Sequence, residues 1–238
     1  PSIYLSEAKD EDLASYIADY LKLEIMQEAL TRNLPAFSRF LEVAAAANGQ
    51  LINFANVSND AQVKVSTVHN YFEILRDTLI GFDLPAWGKS KKRKPITTSK
   101  FYFFDHGVVR YLKGLDHIRK KSADFGLAFE SFIHHELRSY IDYNPPMTLN
   151  FWRSTSNFEV DFILNGRIAI EVKGSTQVGE RDLKGLRALQ EEKLVRQCIL
   201  VSLDETCSKT NDGIRIVHYE SFLTDLWARS FDDVLRQA

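Results

Sequence analysis

Three residues in one short stretch are equipped for phosphodiester chemistry. Residues 158–175 read FEVDFILNGRIAIEVKGS, which places Asp161, Glu171 and Lys173 in an otherwise apolar segment. Two carboxylates on neighbouring strands can hold Mg²⁺, or Mn²⁺, a hard cation that prefers oxygen ligands and keeps several waters. The carbonyl of Val172 offers a further oxygen. A cation held there polarises a phosphodiester and lowers the pKa of an attacking water. Lys173 is suited to orient the nucleophile and to stabilise the negative charge that grows in the transition state. Glu130, in the mostly apolar run FGLAFESFIHHEL, is a candidate third acid. The competing reading is that these are ordinary charges on the wet face of a sheet. His134 and His135 are adjacent, so they point from different faces of a helix and lack the spacing of a zinc site.

The alternation of residues says how these groups are positioned. Phe158, Val160, Phe162 and Leu164 share one face of a strand. Ile168, Ile170 and Val172 share one face of the next. Burying both sets together requires an odd number of loop residues, so the spacing predicts a three-residue connection with Gly166 in a bulge, rather than a two-residue Asn-Gly turn. In that register Leu164 pairs with Ile168 and Asp161 stands opposite Glu171. Around the hairpin, a helix is expected over 125–142 and strands over 148–153, 158–164 and 167–173. A helix over 180–192, strands over 197–203 and 214–218, and a C-terminal helix complete an α/β layer with a mixed sheet.

The first half of the chain reads differently. Residues 1–33 are acidic, with Leu13, Tyr16, Ile17, Tyr20, Leu21 and Ile25 at helical spacing. Helices are expected over 35–47 and 52–60, and a third opens at a Ser66 N-cap. Strand-like segments then flank WGKSKKRKPITTS. Three helices followed by a basic hairpin outline a winged helix-turn-helix. Its third helix, carrying His69 and Asn70, would enter a groove, and its hairpin would touch phosphates. From Leu84 to Phe104 there are six basic residues and no acidic one, and Lys89, Lys91, Lys92, Arg93 and Lys94 fall within six positions. Such a run can release counterions from a nucleic-acid backbone, or can simply be a solvated loop. Gly88-Lys89-Ser90 is not a phosphate-binding loop, because Asp83 stands where the upstream glycine is required. This chain by itself is therefore not expected to hydrolyse ATP.

Composition narrows the setting. The 238 residues carry a net charge of −2, so no global field selects a partner. The two cysteines, Cys198 and Cys207, lack zinc-type spacing and suit a reduced, cytoplasmic setting better than a disulfide scaffold. No signal peptide or membrane span is evident. A start at Pro1 fits either Met removal or a piece of a longer protein.

The run from LPAFSRFLEVAAAANGQ through SKFYFFDHGVVRYLKG, FGLAFESFIHHEL, FWRSTSNFEVDFIL, IAIEVKGS and DLKGLRALQEE resembles one family throughout. That family is domain of unknown function 4143, the C-terminal module of predicted prokaryotic AAA-type ATPases. The resemblance implies that residues 1–33 are the tail of an ATPase lid, with an N-terminal nucleotide-binding domain missing here. It implies a winged helix within 34–121 and a PD-(D/E)XK nuclease-like fold within 122–238. In that superfamily a helix Glu, a strand Asp and a Glu-x-Lys form the site, and here they fall on Glu130, Asp161, Glu171 and Lys173. Val160 stands where Pro is usual. Lys184 is a further phosphate-binding candidate on this basis.

The expectation is therefore a nucleic-acid-binding, Mg²⁺-dependent phosphodiester hydrolase module of an ATPase, with DNA preferred to RNA as partner. The alternatives are a module that grips nucleic acid or protein without cutting, and a regulatory appendage of the ATPase.

Overall fold

A computed structural model describes residues 9–17 and 33–236. The expected helical positions Tyr20, Leu21 and Ile25 lie outside the described residues. The chain forms two compact units. Among the described residues, those up to 83 together with 100–118 make one, and 84–99 together with those from 119 onward make the other. The segment 84–99, expected as the wing of the first unit, thus belongs to the second.

In the first unit, α1 (Lys9–Ser15) precedes α2 (Leu34–Ala46), α3 (Phe54–Ala61) and α4 (Val65–Asp77). The Asn33 side chain caps α2 and Pro35 sits in its first turn, where a missing N–H costs nothing. Asn53 caps α3 in the same way. Helix α4 starts one residue before the expected Ser66 cap, with Lys64 in the N-cap position and no side-chain cap. A two-stranded sheet pairs β1 (Gly81–Leu84) with β2 (Lys100–Phe103). Leu51 adds a bridge to Lys100, and the buried Asn48 carboxamide accepts the Phe103 N–H at 2.8 Å. Helix, bridge, helix, helix, strand, strand is the element order of a winged helix. Phe37, Phe40, Tyr71, Phe72, Phe101 and Phe103 fill its core, with edge-on ring pairs such as Phe40–Phe72 at 5.0 Å. A short helix not foreseen from the sequence, α5 (His106–Leu112), follows and is capped by Asp105.

The second unit is a mixed α/β layer. Helix α6 (Ala123–Tyr143) leads into strands β3 (Leu149–Arg153), β4 (Glu159–Leu164) and β5 (Ile168–Lys173). A 3-10 turn (Glu180–Leu183) and α7 (Lys184–Gln190) replace the single expected helix. Strands β6 (Gln197–Ser202), β7 (Ser208–Lys209) and β8 (Arg215–His218) follow, then α8 (Tyr219–Trp227) and α9 (Asp232–Arg236). The six strands lie in the order β3-β4-β5-β6-β8-β7. β3, β4 and β5 run antiparallel, whereas β5, β6 and β8 are parallel.

The β4–β5 register is the expected one. Leu164 pairs with Ile168, and Asn165 and Gly166 both have positive φ (49° and 64°) in the three-residue loop. One feature of β4 departs from simple alternation. Asn150 pairs with Ile163 but Trp152 with Val160, so Asp161 and Phe162 together oppose Phe151 in a β-bulge. As a result Val160 packs under α7, with Gly185 against it, while the Phe162 ring meets His134 of α6. The expectation that Val160 and Phe162 share a face is corrected by this bulge. The opposite face is not wet either. Ile163 and Ala169 are fully buried in the cluster under α7, together with Trp87, Trp152 and Leu186.

Candidate active site

The hairpin, its bulge and α6 together position the acids. The named β4–β5 pairs end at Phe162 and Ile170. Beyond them the bulge turns the Asp161 carboxylate toward β5, where its Oδ2 accepts the backbone N–H of Val172 at 2.8 Å. A side chain thereby replaces a carbonyl in the ladder, and a carboxylate sits where two strands part. Glu171 and Lys173 follow at alternate positions on β5. The Lys173 ammonium donates to Glu171 Oε1 at 2.6 Å. The other oxygen, Glu171 Oε2, is buried and has no hydrogen-bond partner.

The electrostatics follow from this crowding. Asp161 and Glu171 are each 7% exposed. Burial, and next the charge of Asp161, push the Glu171 carboxyl well above the usual carboxylate range, and Glu130 adds to the same effect. Lys173 opposes it. Burial pulls the Lys173 ammonium down, but Glu171 and Asp161 outweigh that and hold it above the ordinary lysine value. Two acids therefore share one cation, and one carboxylate oxygen is left unanswered. A buried oxygen in that condition costs about 1–3 kcal/mol unless something meets it. By their chemistry Asp161 and Glu171 could offer carboxylate oxygens, and Val172 a carbonyl, to a hard divalent cation. Among the described residues, no group of three or more His, Cys, Asp or Glu converges as a ready ligand set. Glu130 contributes by its charge to the raised value of Glu171.

A cleft of about 860 Å³ opens beside these residues, lined among others by Lys173, Gly174, Lys120, Lys121, Phe125 and Tyr219. Ser122 caps the first turn of α6 at its rim. Lys173 faces it, whereas Asp161, Glu171 and Glu130 are not part of its lining. Sequence reasoning missed Lys120 and Lys121. Their only signal was a KK pair before a helix N-cap.

The other candidates divide. His69 and Asn70 are exposed on α4, with His69 stacked on Phe54 at 3.8 Å. Lys184 is exposed at the start of α7. Lys89, Lys91, Lys92 and Lys94 are exposed, but Arg93 is not a free cation. Its guanidinium donates to the Ala188 carbonyl at 2.9 Å, pairs with Glu191 at 2.6 Å and lies over the Phe158 ring. His134 is buried in the core, as are Trp87 and Trp152, and both cysteines are free thiols. No helix among the described residues is long and apolar enough to cross a membrane.

Comparison with known proteins adds family membership. A family profile described as Domain of unknown function (DUF8612) matches residues 1–119, and one described as Domain of unknown function (DUF4143) matches residues 125–222. Uncharacterized proteins of Mycobacterium bovis (Mb2031c) and Mycobacterium tuberculosis (Rv2008c) are each 26% identical over 213 residues. The match covers 84% of this chain and 46% of theirs, so the chain spans about half the length of these curated relatives. No solved structure matches the chain. The chain belongs to the DUF8612 family through residues 1–119 and carries a DUF4143 domain over residues 125–222; the motifs quoted above thus agree with the DUF4143 profile in the second half, whereas the first-half run falls to DUF8612.

Proposed function

We propose that the second unit is a metal-dependent phosphodiester hydrolase acting on nucleic acid, DNA in preference to RNA, within a longer protein that carries an AAA-type ATPase domain. The observation that carries this reading is the Asp161–Glu171–Lys173 arrangement, with its unanswered Glu171 Oε2. Asp161, Glu171 and the Val172 carbonyl would hold Mg²⁺ or Mn²⁺, which when bound supplies phosphodiester polarisation and a more acidic water. Lys173 reaches the cleft and meets negative charge on a phosphate entering there. Lys120 and Lys121 attract the polyanion, and Tyr219 and Phe125 offer apolar surface beside it. Glu130 tunes the acid pair by its charge. The winged-helix element order of the first unit, with His69 and Asn70 exposed on α4, supports a second nucleic-acid contact. The ATPase and the cytoplasmic setting rest on the family resemblance, and the relatives' greater length leaves room for such a domain.

A second reading, grip without cutting, draws on the burial of Asp161 and Glu171 away from the cleft lining. The test is incubation of the chain with plasmid and branched DNA and Mg²⁺ or Mn²⁺, comparing wild type with Lys173→Ala. Metal-dependent cleavage that disappears in the variant supports hydrolysis. Tight binding in EDTA with no cleavage under either metal supports the second reading.

A further inference from the structure

The basic run was expected on a wing hairpin, touching phosphates or simply solvated, yet a buried carboxylate anchors it within the second unit. Glu192, whose side chain is 0% exposed, holds it with both oxygens. Oε1 accepts the Ser90 hydroxyl at 2.8 Å and the Arg93 N–H at 3.1 Å. Oε2 accepts the N–H groups of Lys91 and Lys92, both at 2.9 Å. Arg93 clamps the turn from the inside, on Ala188, Glu191 and Phe158. The lysine side chains are left facing water. Among the described residues, Lys89, Lys91, Lys92 and Lys94 have no ion-pair partner. Four like charges within six positions form a local positive patch on a backbone that Glu192 holds in place, and an anion lying across them is attracted to it.

The register locates this turn. Pro95 bridges Ser154, Ile96 N–H donates to the Arg153 carbonyl, and Thr155 N–H donates to the Lys94 carbonyl. The turn therefore lies on the open edge of β3, at the end where Arg153 pairs with Glu159. Because β4 and β5 are antiparallel, this is the same end of the sheet that carries Asp161 and Lys173. From the segment paired outside β3, across β3 and β4, to β5 is three strand spacings, ~14 Å, or about four base-pair steps along a duplex strand.

We propose that the turn over residues 89–94 is a preformed phosphate-contacting surface for a nucleic-acid strand passing the candidate active site, and that Glu192 is its positioning residue. Arg93 belongs to the anchor and does not itself meet phosphate. Preordering matters because a fixed turn loses little conformational freedom on binding. This inference rests on the nucleic-acid reading above.

The test is fluorescence anisotropy of a labelled 30-base-pair duplex in EDTA across a salt series. The proteins compared are wild type, a variant with Lys89, Lys91, Lys92 and Lys94 all changed to Ala, and Glu192→Gln. Amide hydrogen exchange of residues 90–93 is followed in parallel. Removing one lysine–phosphate interaction flattens the log–log salt slope by about 0.9, so the slope of the quadruple variant should fall by roughly 2–4. Glu192→Gln keeps every lysine, yet should bind several-fold more weakly, with faster exchange confined to the turn. Binding by wild type with an unchanged slope in the quadruple variant would overturn this inference and leave the nucleic-acid reading standing. No binding by wild type at low salt would overturn both. Loss of cleavage activity alone bears on neither arm, because the measurement is made without metal.

Discussion

Asp161 and Val172 are joined by a hydrogen bond, 2.8 Å from the Val172 N–H to Asp161 Oδ2, that takes the place of a backbone rung between β4 and β5. This bond fixes a carboxylate in the gap where the strands part, next to the residue that precedes Val172, Glu171. It follows from the bulge at Asp161 and Phe162, since an unbroken ladder would have sent the side chain to one face of the sheet. The site thus depends on an irregularity of the strand as much as on the choice of residues.

Removing one charge of the acid pair should relieve the metal-free protein. In EDTA, Asp161→Asn keeps an oxygen for the Val172 N–H and removes the repulsion that raises Glu171. Its melting temperature is expected to equal or exceed that of wild type. Saturating Mg²⁺ should raise the melting temperature of wild type, by ligand linkage, and leave the variant unmoved. An equal response of both proteins would remove Asp161 from the ligand set.

Gly185 ties α7 to the sheet beside the site. A Cβ at this position would lie 1.8 Å from the Glu159 carbonyl oxygen, and backbone cannot yield as a side chain can. Gly185→Ala must lift α7 from β4, with an expected loss of about 1–3 kcal/mol in urea unfolding. A neutral result would mean that α7 packs more loosely on Glu159 than this distance requires.

The legibility of these features varied for physical reasons. The hairpin register was readable because parity leaves only an odd loop between Leu164 and Ile168. The bulge was not, since FEVDFIL alternates without a visible break and the pairing that reveals it, Trp152 with Val160, involves another strand. A polar face was expected around Asp161 because Glu159, Asp161 and Glu171 fall on it by parity, whereas Ile163 and Ala169 on that face are covered by α7. The basic run misled because its anchor, Glu192, lies about 100 residues away in sequence and has no local signature. Helices α2, α3 and α4 of the first unit were readable to within a few residues because their apolar periodicity is local, whereas α5, only seven residues long, was too short to show one.

Acid should loosen the basic turn. Burial tends to raise the Glu192 carboxyl, but the N–H groups of Lys92 and Lys91, the Ser90 hydroxyl and the Arg93 N–H prevail and hold it below the usual carboxylate range. A depressed folded-state value means stability that is present above the ordinary glutamate pKa of about 4.3 and is lost as pH falls through the lower folded value. Glu192→Gln should therefore cost about 1–3 kcal/mol at pH 7, with the difference from wild type shrinking as the pH is lowered below 4. Urea unfolding at several pH values checks this. A difference independent of pH would mean that the charge of Glu192 does not hold the turn.

The central claim is that Asp161, Glu171 and Lys173 hydrolyse phosphodiesters. The most direct measurement is single-turnover cleavage of end-labelled DNA with Mn²⁺ by wild type, Asp161→Asn and Glu171→Gln, with binding in EDTA measured alongside. The predicted result is metal-dependent cleavage by wild type, reduced at least ~100-fold in each variant, with binding unchanged within about twofold. Cleavage that persists in both variants, or its absence in wild type on every DNA and RNA form offered, would contradict the claim.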